Sequence, residues 1–167
     1  MVSEKGGAMT EAELKKHLEA AEKSPKQIAA AVSGLPEETL RYKPPGKWCI
    51  LEILGHLADM EIMYAYRMRQ ILADKKPVIA PIDQNEWANH LGYIEAPPAE
   101  QVALYGLNRH NTLRLLRRLK PGDLEKGAYH PERKRDVTLA EMVEMMAGHG
   151  PNHLEQIERL KKEAGKK

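Results

Sequence analysis

Apolar side chains recur along this chain with the period of a helix, and prolines cut the periodic stretches apart. Met142, Met146, His149, His153, Ile157 and Leu160 follow one another at steps of 4, 3, 4, 4 and 3. That spacing keeps them on one face of a helix with about 3.6 residues per turn. An earlier row, Cys49, Ile53, His56, Met60 and Met63, does the same. Proline removes a backbone donor and clashes with the preceding turn, so the windows between prolines predict where helices run. The first extends from about Thr10 to Ser33 and is opened by a Thr10/Glu13 capping box. Ser24-Pro25 marks an expected break or kink within it, and Gly34-Leu35-Pro36 ends it. The second runs from Trp48 to Asp74 and the third from Pro98 to Lys120. The fourth runs from Thr138, with Glu141 completing a second capping box, to Lys162.

Each window spans about 33 to 40 Å at the rise of a helix, and four similar lengths predict a four-helix bundle. The connection between the second and third helices, Lys75 to Pro97, exceeds the roughly 2 to 8 residues common between bundled helices. It is long enough to cross an end of the bundle, and Asp83 to Asn89 within it fits a short helix. The expected organisation is one helical domain over 10–163, with frayed ends at 1–9 and 164–167.

Composition narrows the class to all-α. Ala, Leu, Glu, Lys, Arg and Met supply 91 of 167 residues, against 19 for Val, Ile and Thr, and Phe is absent. The 26 basic and 24 acidic side chains nearly cancel, too weak a bias for a nucleic-acid or membrane partner. Arg114, Arg117, Arg118 and Lys120 interleave with leucines as on an ordinary solvated helix face, and Arg133-Lys134-Arg135 reads as loop. A single cysteine, Cys49, excludes an internal disulfide or a cysteine zinc cluster and reads as core. No apolar run approaches the roughly 20 residues of a spanning helix. Met1 to Thr10 lacks an apolar signal core, which points to a cytoplasmic protein.

Against this background three of the seven histidines stand out. His17 sits among charged neighbours, and His90, His110 and His130 lack a partner at ligand spacing. His149 and His153 share one helical face in the middle of an apolar row, and His56 interrupts the equivalent row on the second helix. Buried imidazoles need partners. They are either hydrogen-bonded core histidines or, meeting inside the bundle, ligands of a metal. Three neutral imidazoles leave a coordination position open for water or substrate. Gly150 after His149 excludes the zincin pattern, and Pro151 is expected to kink the helix between the pair. Gly148 and Gly150 suggest close backbone packing or a bend.

Trp48-Cys49-Ile50, followed by Glu52 to Asp59 with its His56-Leu57-Ala58-Asp59, resembles the second-helix signature of the DinB/YfiT-like superfamily. Pro81-Ile82-Asp83 through Trp87-Ala88, His130-Pro131-Glu132, and His149 through Ile157 resemble later landmarks of its YfiT branch, in the same order. The resemblance implies a four-helix bundle, usually dimeric, with a divalent metal held by His56, His149 and His153. It implies a metal-dependent hydrolase, or a transferase or isomerase using a low-molecular-weight thiol such as bacillithiol or mycothiol, acting on a small molecule. Three imidazoles suit zinc, nickel, copper or iron, with zinc or nickel favoured. Asp59 reads either as a hydrogen-bond acceptor for an imidazole or as an exposed acid. Arg67 reads either as an anion-binding group or as a surface charge. Trp48 and Trp87 shape a pocket mouth or simply pack. The competing class is a non-catalytic helical module whose histidines pack the core or hold a structural metal.

Overall fold

The computed structural model describes residues 9–166. The frayed segment expected at 1–9 lies, apart from Met9, outside the described residues, as does Lys167. Four long helices form the bundle: α1 (Glu11–Val32), α3 (Ile50–Ala73), α5 (Pro98–Leu116) and α6 (Leu139–Ala164). Short helices α2 (Glu37–Leu40) and α4 (Gln84–His90) lie in the first two connections. Around the bundle α1 packs on α6 and α5, and α3 packs on α5 and α6. Among the described residues no helix is long and apolar enough to cross a membrane.

Both capping boxes form as read. Thr10 and Thr138 each accept from the backbone N–H of the glutamate three residues on, and Glu13 and Glu141 bond back to the cap backbone. Such caps each contribute about 1 kcal/mol. The third box uses Glu52, which accepts from the Cys49 backbone N–H at 2.8 Å and from Lys43. Pro98 opens α5 as expected, but the helix stops at Leu116 rather than Lys120. Beyond it, the Lys120 backbone N–H donates to Asp123 Oδ2 at 2.8 Å, which gives the chain a turn instead of another helical step.

The expected break at Ser24-Pro25 does not occur. Helix α1 runs through Pro25. Proline leaves the carbonyl four residues back without its donor. Here that carbonyl, Ala21 O, accepts from Arg109 Nη1 at 3.2 Å. Likewise α6 continues through Pro151, and in the neighbouring turn Met146 O accepts from Arg109 Nη2 at 3.2 Å. One buried arginine thus replaces the donor that Pro25 removes from α1 and adds a bond to α6 one residue before the carbonyl that Pro151 leaves free. It also pairs with Glu61 of α3, so Arg109 bonds to all three other helices of the bundle.

This polar layer separates two apolar clusters. One gathers Tyr64, Met68, Leu113, Leu116, Met142 and Met146; the other gathers Ile28, Ile53, Leu57, Tyr105, Ile157 and Leu160. In the layer Ser24 Oγ and Tyr105 Oη are 2.8 Å apart, and Gly150 lies against them. A Cβ on Gly150 would meet Ser24 Oγ at 1.8 Å and Tyr105 Oη at 2.5 Å. The glycine therefore lets α6 approach α1 and α5 closely, as its place in the sequence suggested. Gly148 has open space around it.

A hairpin that the residue pattern did not predict leads into α6. Strands β1 (Gly127–His130) and β2 (Arg135–Thr138) pair antiparallel, with Gly127 opposite Thr138 and His130 opposite Arg135. Arg135, read as loop, opens β2. Val78 adds a parallel bridge to Tyr129, with Ile79 N–H donating to Tyr129 O at 2.9 Å. The long connection after α3 is thereby tied to the segment that leads into α6.

Candidate metal centre

Helices α3 and α6 pack against each other and bring His56, His149 and His153 into one cluster. One ring nitrogen from each lies within 4.8 Å of the others. His149 Nε2 is central, 3.0 Å from His56 Nε2 and 3.1 Å from His153 Nε2. Two nitrogens bound to one zinc at about 2.0 to 2.1 Å with tetrahedral angles sit about 3.3 Å apart, close to the two spacings through His149, while the third pair stands wider, within 4.8 Å. Pro151 does not disturb the pair, since the His149 and His153 ring centroids are 4.6 Å apart.

Proton placement sharpens the point. Gln156 Oε1 lies 3.0 Å from His153 Nδ1. A carbonyl oxygen there fixes the proton on Nδ1 and leaves the Nε2 lone pair facing the cluster. Among the described residues His149 Nδ1 is buried with no partner, so hydrogen bonds between the imidazoles leave His149 unsatisfied whichever tautomer it takes. Burial, with the neighbouring imidazole of His153, lowers the pKa of His56 to about 3. Burial, then His153, His56 and Arg109, lowers that of His149 to about 2. Burial lowers His153 as well, against the opposing effect of Gln156. All three rings are neutral near pH 7 and present lone pairs at one point, which is the donor set a divalent ion requires.

The walls come from both apolar clusters. The half-buried Trp48 ring stands 4.8 Å from that of His56. Trp48 both packs on the core and borders the cluster. On the other side the buried Tyr64 ring meets His149 at 5.6 Å. The sequence row on this face had Met63 where the structure buries Tyr64; Met63 is only partly covered. Gln156 and Tyr64 were both missed, although each falls at helical spacing from a histidine, three residues after His153 and eight after His56.

Other candidates lie elsewhere. Asp59 accepts from the Tyr93 hydroxyl at 2.7 Å, and among the described residues no hydrogen bond joins it to an imidazole. Tyr93 packs so tightly on Gly55 that a Cβ there would meet its Cγ at 2.3 Å. Asp59 therefore holds a tyrosine over the turn that precedes His56. Arg67 is buried, not a surface charge, and its Nη2 donates to Ala80 O at 2.7 Å. Cys49 is buried core, as read. Trp87 is half-buried on α4.

A four-helix bundle with three neutral histidines gathered from two of its helices defines a class of helical proteins with a metal-type donor set. Within that class the chain belongs to the DinB superfamily, whose family model matches residues 20–157. It is 26% identical over 152 residues to the putative metal-dependent hydrolase YfiT of Bacillus subtilis, covering 90% of this chain and 85% of that protein. It is 30% identical over 115 residues to the putative metal-dependent hydrolase OB0782 of Oceanobacillus iheyensis, covering 69% of this chain and 66% of the relative. The solved structure of YfiT, described as having an unusual four-helix bundle topology, superposes with a TM-score of 0.90 at 24% identity, covering 97% of this chain and 93% of the other. The mycothiol-dependent maleylpyruvate isomerase gives 0.66 at 14% identity, covering 84% and 59%. At these identities the structural likeness speaks to the fold.

Proposed function

We propose that this protein is a metal-dependent hydrolase whose divalent ion, zinc or nickel, is held by His56, His149 and His153. The observation that carries the reading is the convergence of three neutral imidazoles, one of them with an orphaned buried nitrogen. A divalent ion bound there supplies Lewis acidity, which brings water into the range of a competent nucleophile near neutral pH and polarises a carbonyl group. The protein's own part is positioning. Gln156 fixes the tautomer and tilt of His153, while Trp48 and Tyr64 wall the cluster from two sides and limit its exposure to water. Three protein ligands leave a tetrahedral set one short, the condition of catalytic rather than closed structural sites.

The test is elemental analysis of the full chain purified after supplying zinc or nickel, beside the His56, His149, His153 triple alanine variant. A panel of esters and amides then follows. Near-stoichiometric metal only in the wild type, with turnover lost in a folded His153→Ala variant, is the expected result. Equal metal content in both proteins sinks the reading. Unfolding on chelation, with no turnover at all, favours a structural role instead.

A second reading, thiol transfer, draws on the fold shared with the mycothiol-dependent maleylpyruvate isomerase. The chain's one cysteine is buried, and burial raises its thiol pKa, so the protein lacks a thiolate of its own to use as a nucleophile. A transferase of this kind requires a low-molecular-weight thiol from solution. Turnover of an electrophile that depends on added thiol, with none on esters or amides, selects this reading.

A further inference from the structure

The four long helices do not meet water in the same way. Among the described residues eight large apolar side chains are exposed, and none of them lies on α1 or α6. Ile62 and Tyr66 are on α3, and Leu104 and Leu107 are on α5. Helices α3 and α5 are neighbours, and the bond between Glu61 and Arg109 puts these stretches side by side. Ile62 follows Glu61, and Leu107 lies two residues before Arg109, so the four side chains form one outward patch. Helix α5 is thus apolar on two sides, since Tyr105, Leu113 and Leu116 fill the core. A single exposed leucine is ordinary, whereas a contiguous apolar patch marks a contact surface.

The charges around the patch indicate what covers it. Toward the C-terminal ends of α3 and α5, Arg69, Arg114 and Arg118 line one cleft with Asn111. Asp123 borders that cleft too, but its carboxylate is engaged by Lys126 and by the Lys120 backbone N–H. Arg117 turns to α1 and pairs with Glu22 at 2.8 Å, while neither Arg114 nor Arg118 forms an ion pair with any described residue. At the other end Glu95 and Glu100 are exposed and equally without a cation among the described residues. The face is acidic at one end, apolar in the middle and basic at the other. Glu100, Leu107 and Arg114 follow one another at intervals of seven residues, two helical turns, and so share one outward stripe. Leu107, their midpoint, is 69% exposed, more than any other large apolar side chain among the described residues.

We propose that a second copy of this chain docks on this face, α5 antiparallel to α5, about a two-fold axis at Leu107. Glu100 and Arg114 stand about 10 Å on either side of that axis. Rotation about it therefore brings each Glu100 to the partner's Arg114, twice over, as a self-complementary interface requires. Ala103 and Asn111, one turn to either side of Leu107, are short and leave room for the partner's leucine. An unrelated helix would have to carry the same order of acid, apolar and basic positions; a second copy carries it already. The apolar middle leaves water on docking, and the charges at the rim fix the antiparallel register. His56 lies six residues before Ile62, about 120° around α3. The histidine clusters thus stay off the contact, and the proposal does not rest on the hydrolase reading.

Analytical ultracentrifugation of the full chain tests this. The wild type should dimerise at submillimolar concentration, and Leu107→Asp should be monomeric over the same range. Glu100→Arg alone and Arg114→Glu alone each place like charges opposite one another, and each should weaken the dimer at least about tenfold. Mixed together, those two variants restore both charge pairs, so their heterodimer should be at least about tenfold tighter than either self-dimer. All three positions are exposed, and circular dichroism should show the same helix content throughout. A wild type that stays monomeric over the whole range overturns the proposal. So does a Leu107→Asp dimer as tight as the wild type, which places the contact on another face. A mixture no tighter than its components overturns the antiparallel two-fold arrangement.

Discussion

Glu61 and Arg109 face each other at the centre of the bundle, each no more than 1% exposed, joined by two parallel hydrogen bonds. Burial pushes the Glu61 carboxyl up, and the Arg109 charge opposes that. The remaining donors of Arg109 go to the two helices that contain proline. At Ala21 O the guanidinium supplies the donor that Pro25 lacks, deep in a core without water.

Removing one partner leaves the other charge buried and alone. Glu61→Leu or Arg109→Met should each lower unfolding stability by about 3 to 5 kcal/mol. The Arg109 variant should suffer more, because Ala21 O and Met146 O also lose a donor. The double variant should recover part of the loss, since no lone charge remains. Urea denaturation of the four proteins checks this; strict additivity of the single losses would contradict it.

The two glycines in the middle of α6 should respond in opposite ways to alanine. Gly150→Ala forces its methyl into Ser24 and Tyr105 and should cost about 1 to 3 kcal/mol or more. Gly148→Ala meets nothing and should gain about 0.5 to 1 kcal/mol through helix propensity. Thermal melts of the two variants in one buffer give the comparison.

Among the described residues Gln156 is the only side chain hydrogen-bonded to Nδ1 of a clustered histidine. Replacing it by Leu keeps the volume near constant and frees the His153 tautomer. Metal affinity should fall about 10 to 100-fold, with the fold retained. Competition with a coloured chelator measures this, and unchanged affinity would remove Gln156 from the site.

Chelated protein should lose stability as pH falls from about 6.5 toward 5. The unfolded chain protonates its histidines below about 6.5, whereas His56 and His149 stay neutral down to about 3 and about 2 when folded. The unfolded state then binds more protons, so stability is complete above the ordinary histidine pKa and drains as pH drops through it. Most carboxylates titrate lower and contribute little in this window. Denaturant midpoints at pH 7, 6 and 5 report the slope, which a variant with alanine at 56 and 149 should largely lose; a flat wild-type profile is the contrary result.

Much of this was visible in the residues. The four helices followed from proline spacing, two caps from Thr-x-x-Glu, and the histidine cluster from imidazoles interrupting apolar rows. The same logic applied to α5 would have found Arg109, which interrupts the buried row Tyr105, Thr112, Leu113 and Leu116. It was passed over because arginine is usually solvated, and nothing local says that Glu61, forty-eight residues away, waits opposite it. The break allowed for at Pro25 is absent for the same reason, since its rescue comes from another helix. The hairpin escaped because each strand has four residues and contributes one fully buried side chain, Ala128 or Val137. So short an alternation carries almost no periodic signal.

His56 and His149 touch across 93 residues of sequence. During synthesis at about 5 to 20 residues per second, the first imidazole exists for about 5 to 20 seconds before its partners are made. For that interval α3 carries a lone histidine with no chelating power to speak of. The cluster therefore comes into being late and all at once, when the two histidines of α6 dock beside the one on α3.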